Sequence, residues 1–197
     1  MTDDTGLLEH SLGRIPRRRE GYSTDDNARA IWLCLEWLDL LGDDALDERR
    51  RLFRLLDRYL AFLLWAQRED GWFQNNFYFD RTPEAETRSD DCLGRSLWAT
   101  AVAYVQLGDM ARKRVAAEIL RRSLAASRGL RFLRGQAWGL ATCGLLLNAR
   151  NGDAALPSGV TEADLTELAN AFEQPLLAAY HAHRTEDWRW FEPQITY

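Results

Sequence analysis

The chain has 197 residues, which is enough to bury one substantial hydrophobic core. Hydrophobic residues make up 46% and charged residues 28%, a balance that excludes a disordered chain. The formal net charge of -5, without any long basic run, argues against a nucleic-acid partner.

Hydrophobic periodicity predicts helices over almost the whole chain. They cover residues 24–41, 44–67, 90–107, 110–126, 131–148 and 162–183. The first, third and fifth are apolar on most sides, so we expect protein to surround them, and the tryptophans within them, Trp32, Trp37, Trp98 and Trp138, to be core. The second, fourth and sixth carry one apolar stripe and a charged face, which predicts that one side meets water.

This alternation favours one particular arrangement of helical hairpins. Inner helices enclosed by amphipathic outer helices define an α/α toroid, whereas a plain four-helix bundle needs all its helices striped alike. About three hairpins repeat, roughly every sixty residues, as stacked units do. We therefore predict an all-α fold, an incomplete α/α toroid forming a single partial domain over 1–197, with short aromatic loops or β-hairpin insertions between helices.

The cysteines and histidines do not indicate a metal site or a disulfide framework. Cys34, Cys92 and Cys143 lie inside apolar helical runs, where they resemble buried small hydrophobic residues. The histidines add no ligand motif, and no cofactor is expected. No apolar run is long and pure enough to cross a membrane, so we expect a cytoplasmic protein with no membrane partner.

A short motif, D-x-x-x-R-x-x-W, begins two of the predicted inner helices. It occurs as Asp25, Arg29, Trp32 and again as Asp91, Arg95, Trp98. Helix capping and the helix dipole explain one acid at each start. They do not explain the adjacent pairs, Asp25 with Asp26 and Asp90 with Asp91. If inner helices line a ring, these carboxylates converge on one mouth, where clustering suits acid–base chemistry.

Two predicted loops combine aromatic and polar side chains. DGWFQNNFYFD, at 70–80, holds Trp72, Asn75 and Asn76, and EDWRWFEP, at 186–193, holds Trp188 and Trp190. An aromatic face beside hydrogen-bonding groups suits a sugar ring, whose C–H face stacks while its hydroxyls bond at the edge. The alternative is that the aromatic residues only anchor these loops to the helices.

Several of these segments resemble a known superfamily. The alternating helices, WAQREDGWF after an outer helix, and the acids at inner-helix starts resemble the six-hairpin glycosidases, the (α/α)6 toroids. More narrowly, TDDTGLLEHS, GYSTDDNARA and DWRWFEPQITY resemble a bacterial toroid domain found beside, or fused to, glycosyltransferases and mannoside-processing enzymes. A full ring of that kind has six hairpins, so the resemblance implies that this chain is a fragment.

The resemblance implies a carbohydrate-active domain acting on an oligosaccharide or glycoside. We expect glycoside hydrolysis by a pair of carboxylates, one as acid and one as base or nucleophile. The candidates are Asp25, Asp26, Asp90, Asp91 and Glu192, without a metal. Sugar would be held by Tyr22, Arg29, Trp72, Asn75, Asn76, Arg95, Trp188 and Trp190.

Two alternatives remain at this stage. The first is a non-catalytic glycan-binding or scaffolding domain that serves a glycosyltransferase partner; it needs the aromatic loops but no carboxyl group with a raised pKa. The second is a sugar isomerase on the same fold, which the lack of histidine in the inner helices disfavours.

Overall fold

A computed structural model describes residues 1–152, 154–190 and 192–193. The helices of this part are α1 (Thr24–Leu40), α2 (Leu46–Ala66), α3 (Asp90–Gln106), α4 (Met110–Ser127), α5 (Leu133–Asn151) and α6 (Glu162–His183). The antiparallel pairs β1 (Ser11–Leu12) with β2 (Ile15–Pro16) and β3 (Tyr22–Ser23) with β4 (Asn76–Phe77) are short. The all-α class and the position of each helix are therefore confirmed.

The helices form an inner and an outer layer. In the inner layer α3 packs between α1 and α5, and α2, α4 and α6 lie against α1, α3 and α5 respectively. Helix α3 can accept neighbours on three sides because small residues line it: Ala99, Ala101 and Ala103 are fully or almost fully buried. The placement of α1, α3 and α5 in one layer and of α2, α4 and α6 in the other agrees with the order read from the sequence, while closure of the layers into a ring stays a prediction.

Two long segments, the one before α1 and residues 67–89, lie at one end of this assembly, where α1, α3 and α5 begin. The segment before α1 and residues 67–89, which join α2 to α3, meet through the β3–β4 pair and the bridge between Leu8 and Tyr22. Residues 67–89 also bond to the start of α1, because Thr24 donates from its amide to the Asn75 carbonyl at 2.8 Å and from its hydroxyl to the Gln74 carbonyl at 2.5 Å. At the opposite end, 107–109 joins α3 to α4.

The prediction that α1 is buried on every side is wrong. Leu33, Trp37 and Leu40 are 62%, 54% and 84% exposed, so Trp37 is not a core residue. In the described part of the chain, α1 packs mainly against α2 and α3, and one of its flanks is open to solvent. Sequence periodicity showed that the flank is apolar but not whether a neighbour covers it.

The cysteines are confirmed as buried thiols. Cys34, Cys92 and Cys143 are all free and buried. Burial raises the pKa of Cys34 and of Cys143 to about 11, and it raises that of Cys92 well above its usual value. These thiols are therefore protonated at neutral pH and behave as small hydrophobic side chains rather than as nucleophiles.

Candidate functional site

The two copies of the sequence motif meet at the start of α1 and α3. Arg95 on α3 contacts the carboxylate of Asp25 on α1, and its other terminal nitrogen lies 4.0 Å from Asp91 Oδ2. Arg29 Nη2 lies 2.9 Å from Asp25 Oδ2 and 2.8 Å from Asp26 Oδ1. The expected convergence of these helix starts is therefore present, and one guanidinium joins carboxylates from both helices.

The network continues to the third inner helix. Arg134, in the first turn of α5, places Nη2 3.3 Å from Asp91 Oδ2. Sequence analysis missed Arg134 because α5 lacks the aspartates of the motif, and only its tryptophan, Trp138, was noted. The side chains of Asp25, Arg95 and Asp91 are 13%, 24% and 27% exposed, so the network is partly shielded from water but open to it. We call this set, with Asp26, Arg29 and Arg134, the charged cluster.

The tryptophans of the three inner helices pack together beside the charged cluster. The ring centroids of Trp32, Trp98 and Trp138 are 5.9 to 6.1 Å apart. They are half-buried rather than fully buried, and with Arg29 and Arg95 they line a cavity of about 50 Å³. That volume is well below the 300 Å³ at which ligand pockets usually begin, so the cavity alone does not accept a sugar ring.

Glu9 is a carboxyl group that sequence analysis overlooked. Burial raises its pKa, the nearby Asp26 and Asp25 carboxylates raise it further, and His10 opposes the rise. Its amide donates to the Gly21 carbonyl at 3.0 Å, which holds this segment against the strand that leads into α1. The signal in the sequence was a lone acid directly after the apolar residues of TDDTGLLEHS, but only the tertiary contacts bring it to the charged cluster.

Asn75 and Asn76 lie beside the same helix start. Asn75 Oδ1 accepts from the Asp25 amide at 3.2 Å, and its Nδ2 donates to Asn76 Oδ1 at 3.2 Å. Glu86, which sequence analysis also missed, accepts from the amides of Asn75 and Asn76 at 2.5 and 3.0 Å. The predicted neighbourhood of the asparagines and Asp25 is present, and Glu86 fixes the backbone that carries them.

Asp90 does not reach the charged cluster. Its Oδ2 accepts from the amides of Arg131 and Phe132 at 2.5 and 2.8 Å, and the residue is only 8% exposed. A buried carboxylate with both bonds directed at backbone amides holds the connection between α4 and α5. The expectation that Asp90 is catalytic is corrected to this structural role.

Two residues expected to hold sugar are core residues instead. Trp72 is 7% exposed, the guanidinium of Arg88 lies 5.2 Å from its ring centroid, and its ring edge lies against Gly129. Tyr22 is 1% exposed and donates its hydroxyl to Asp3 Oδ2 at 2.7 Å. Neither ring offers a face on which a sugar could stack. At Trp72 the alternative interpretation is therefore correct: the aromatic side chain anchors its loop to the helices.

The aromatic segment after α6 forms a turn of its own. Trp188 donates from its indole nitrogen to the Glu192 carbonyl at 2.7 Å and from its amide to Thr185 Oγ1 at 3.0 Å. Trp190 is 43% exposed. Residues 191 and 194–197, which complete the DWRWFEPQITY motif, lie outside the described residues. The catalytic role for Glu192 and the sugar contacts of Trp188 and Trp190 stay predictions.

Within residues 1–152, 154–190 and 192–193, no group of three or more histidine, cysteine or acidic side chains is arranged to hold a metal ion. None of the helices in the same ranges combines the length and apolarity that a membrane crossing requires. No protein-family model matches the chain, and no curated protein is significantly similar to it in sequence.

Proposed function

We propose that this chain is a carbohydrate-active domain of the α/α toroid type that hydrolyses glycosides at the charged cluster. The observation that carries the proposal is the environment of Glu9 beside Asp25 and Asp26. Glycoside hydrolysis needs one carboxyl group that keeps its proton and a second that is ionised. Burial and the neighbouring Asp26 and Asp25 carboxylates raise the pKa of Glu9, which favours Glu9 as the carboxyl group that supplies the proton.

The other residues then take complementary parts. Glu9 donates its proton to the glycosidic oxygen as the bond to the anomeric carbon breaks. Asp25 and Asp26 are the candidates that activate water or attack that carbon, since both carboxylates lie at the solvent-open start of α1. Arg29 and Arg95 bind substrate hydroxyl groups, because each has further N–H donors in a fixed plane.

The wider setting of the proposal comes from the layers and from the resemblance. Three inner helices that begin at one end, beside the segment before α1 and residues 67–89, are what a toroid with its site at one mouth requires. The resembling domains occur beside or within glycosyltransferases and mannoside-processing enzymes. The proposal therefore includes an oligosaccharide substrate, a glycosyltransferase as neighbour or fused partner, a cytoplasmic location, and a chain that is part of a larger ring.

A second candidate is a non-catalytic glycan-binding domain associated with a glycosyltransferase. Two observations favour it. An arginine already contacts each of the three aspartates in the charged cluster, so carboxylate oxygens that a water or an anomeric carbon would have to approach are engaged. The cavity beneath the cluster is also small. A sugar bound across the surface by arginines and asparagines would need neither carboxyl to react.

Hydrolysis of a panel of aryl mannosides and glucosides, with and without Glu9→Gln and Asp25→Asn, tests the proposal. We expect the parent to turn over at least one substrate and each substitution to lower kcat by about 10²-fold or more. Asp57→Asn is the matched control, because Asp57 pairs with Arg112 on the outer layer. Its rate should equal that of the parent.

The same panel separates the two candidates when binding is measured by calorimetry. Binding without turnover in the parent supports the glycan-binding domain. Neither binding nor turnover across mannosides, glucosides and their oligosaccharides overturns both candidates. Turnover that survives Glu9→Gln unchanged removes Glu9 from the mechanism and with it the observation on which the hydrolase proposal depends.

A further inference from the structure

Three arginines of the outer helix α2 surround a cavity. Arg51, Arg54 and Arg58 are separated by three and then four residues, so they lie on one face of the helix. The cavity has a volume of about 400 Å³, and its other lining residues are Met1, Thr2 and Leu55. This volume is in the range of small-ligand pockets, unlike the 50 Å³ cavity beside the charged cluster. We call it the arginine pocket.

The wall of the arginine pocket that faces the helix is held in place. The hydroxyl groups of Thr2 and Tyr59 are hydrogen-bonded at 2.7 Å, and Tyr59 is a buried residue of α2. Leu8 donates from its amide to the Met1 carbonyl at 3.0 Å, which folds this part of the chain back on itself. The pocket is therefore built from two segments that are fixed to each other, rather than from one helix surface.

The positive charges of the pocket are not neutralised by acids. In the part of the chain that the structure describes, its three arginines make no ion pair and no side-chain hydrogen bond, and all three are exposed. Two of the three acids on α2 are engaged by other arginines, Asp47 by Arg50 at 3.1 Å and Asp57 by Arg112 of α4 at 2.5 Å. The donors of the pocket are therefore open to a ligand, whereas Arg29 and Arg95 in the charged cluster already contact carboxylates.

This arrangement works against the stability of α2. Arg54 and Arg58 are a like-charged pair at i,i+4, and Arg50 precedes Arg54 by the same spacing. Such pairs disfavour a helix. The chain has a net charge of -5, so its composition does not force arginines together. Local choices that oppose the fold are expected where a ligand is bound.

The number of donors and charges indicates the class of ligand. Each guanidinium carries one positive charge and a planar set of N–H donors that matches carboxylate and phosphate oxygens. One carboxylate would leave most of these donors and charges unmatched, whereas a diphosphate group offers more charged oxygens to all three arginines. A nucleic acid needs a longer basic surface, which the net charge of -5 also opposes.

We propose that the arginine pocket binds a small molecule that carries a diphosphate group, with Arg51, Arg54 and Arg58 donating to the phosphate oxygens. The pocket shares no residue with the charged cluster. This inference does not depend on the proposed hydrolytic activity, and its failure would leave that proposal unchanged.

Calorimetric titration of the full chain with pyrophosphate at low ionic strength tests the pocket. We expect one pyrophosphate to bind per chain, and added salt to weaken the binding. Arg51→Gln, Arg54→Gln and Arg58→Gln should each lower the affinity about 10-fold or more, since each removes charge-assisted hydrogen bonds. These sites are exposed and glutamine suits a helix, so the variants should keep the parent circular dichroism.

Arg114→Gln is the matched control. It removes the same charge from an exposed position on α4, outside the pocket, and should keep the parent affinity. A parent that does not bind pyrophosphate with a Kd of about 1 mM or tighter overturns the proposal. So does parent affinity in the three pocket variants, because pyrophosphate would then bind elsewhere on the chain.

Thermal unfolding separates ligand binding from a structural role of the arginines. Pyrophosphate should raise the Tm of the parent and of Arg114→Gln but not that of Arg54→Gln. Without ligand, Arg54→Gln should unfold at or above the parent Tm, because it relieves the repulsion by Arg50 and Arg58. An equal rise in Tm with pyrophosphate for the parent and Arg54→Gln overturns the proposal.

Two further anions test the class of ligand. Inorganic phosphate has one phosphate group and should bind about 10-fold or more weakly than pyrophosphate, because it cannot reach all three arginines at once. Citrate carries its charges on carboxylates and should also bind more weakly. Citrate affinity equal to that of pyrophosphate overturns the assignment to phosphate, and equal affinity for inorganic phosphate overturns the assignment to a diphosphate group.

Discussion

Arg95 is expected to contribute more to stability than any other arginine of the charged cluster. It is the residue that joins α1 to α3, and its side chain is 24% exposed, against 54% for Arg29. A hydrogen bond to a charged partner contributes about 1.5–3 kcal/mol when it is shielded. Because Arg29 still contacts Asp25 after Arg95 is removed, we take the low end and expect Arg95→Met to cost about 1.5 kcal/mol.

Methionine is the chosen replacement because it keeps the aliphatic part of the side chain, which packs beside Trp98 at the cavity wall. The loss should appear as a fall of about 3–6 °C in Tm, since 1 kcal/mol corresponds to about 2–4 °C in a chain of this size. Urea unfolding followed by circular dichroism gives the free energy directly, provided that the m-value is unchanged.

Arg29→Met is the matched control for this prediction. It contacts the same Asp25, but within one helix and at an exposed position, where such a pair contributes about 0.5 kcal/mol or less. A double-mutant cycle of Arg95→Met with Asp25→Asn should show a coupling energy of about 1 kcal/mol or more. Equal costs for the two arginine substitutions, or coupling within error of zero, would refute the view that Arg95 ties the inner helices together.

Three further predictions concern packing, pH and the α4–α5 connection. Gly139→Ala should destabilise by about 1 kcal/mol, because the new Cβ would lie 2.6 Å from the buried Phe172 ring, whereas Gly144→Ala should stabilise by about 0.5–1 kcal/mol. Glu9→Gln should stabilise the fold at pH 7, and the gain should vanish as pH falls below the pKa of an unfolded glutamate, because the raised pKa of Glu9 makes its ionisation unfavourable in the folded state. Asp90→Asn should cost about 1–3 kcal/mol, since it weakens both backbone bonds.

Each is measured by urea or thermal unfolding at one fixed protein concentration. If Gly139→Ala and Gly144→Ala changed the free energy of unfolding in the same direction, the packing of α5 on α6 would be contradicted. A stability gain for Glu9→Gln that persists at pH 3 would contradict the linkage, because the parent glutamate is then protonated in both states. Unchanged stability in Asp90→Asn would contradict its buried bonding role.

Local chemistry explains why the helices were predictable. Apolar runs such as IWLCLEWLDLL, which covers most of α1, and the caps Ser89 of α3 and Thr161 of α6 act within a few residues of sequence. The order of inner and outer helices was predictable as well, because a helix with one apolar stripe can bury only one side. The repeated D-x-x-x-R-x-x-W pattern even identified the part of the site contributed by α1 and α3.

Contacts between distant segments decided the rest. Glu9, Glu86 and Arg134 belong to the site only because loops and helix starts that are far apart in sequence meet at one end of the layers. The sequence also did not show which tryptophans are buried. Trp72, in the connection between α2 and α3, is 7% exposed, whereas Trp37, on α1, is 54% exposed.

The sequence by itself determined the helices, their polarity and the acids at their starts, because these depend on short-range periodicity and capping. Only the tertiary structure decided which carboxyl group is buried, which guanidinium is shared and which apolar stripe lacks a neighbour. Burial and shared charge are properties of the space between segments, and that space exists only after the chain has packed.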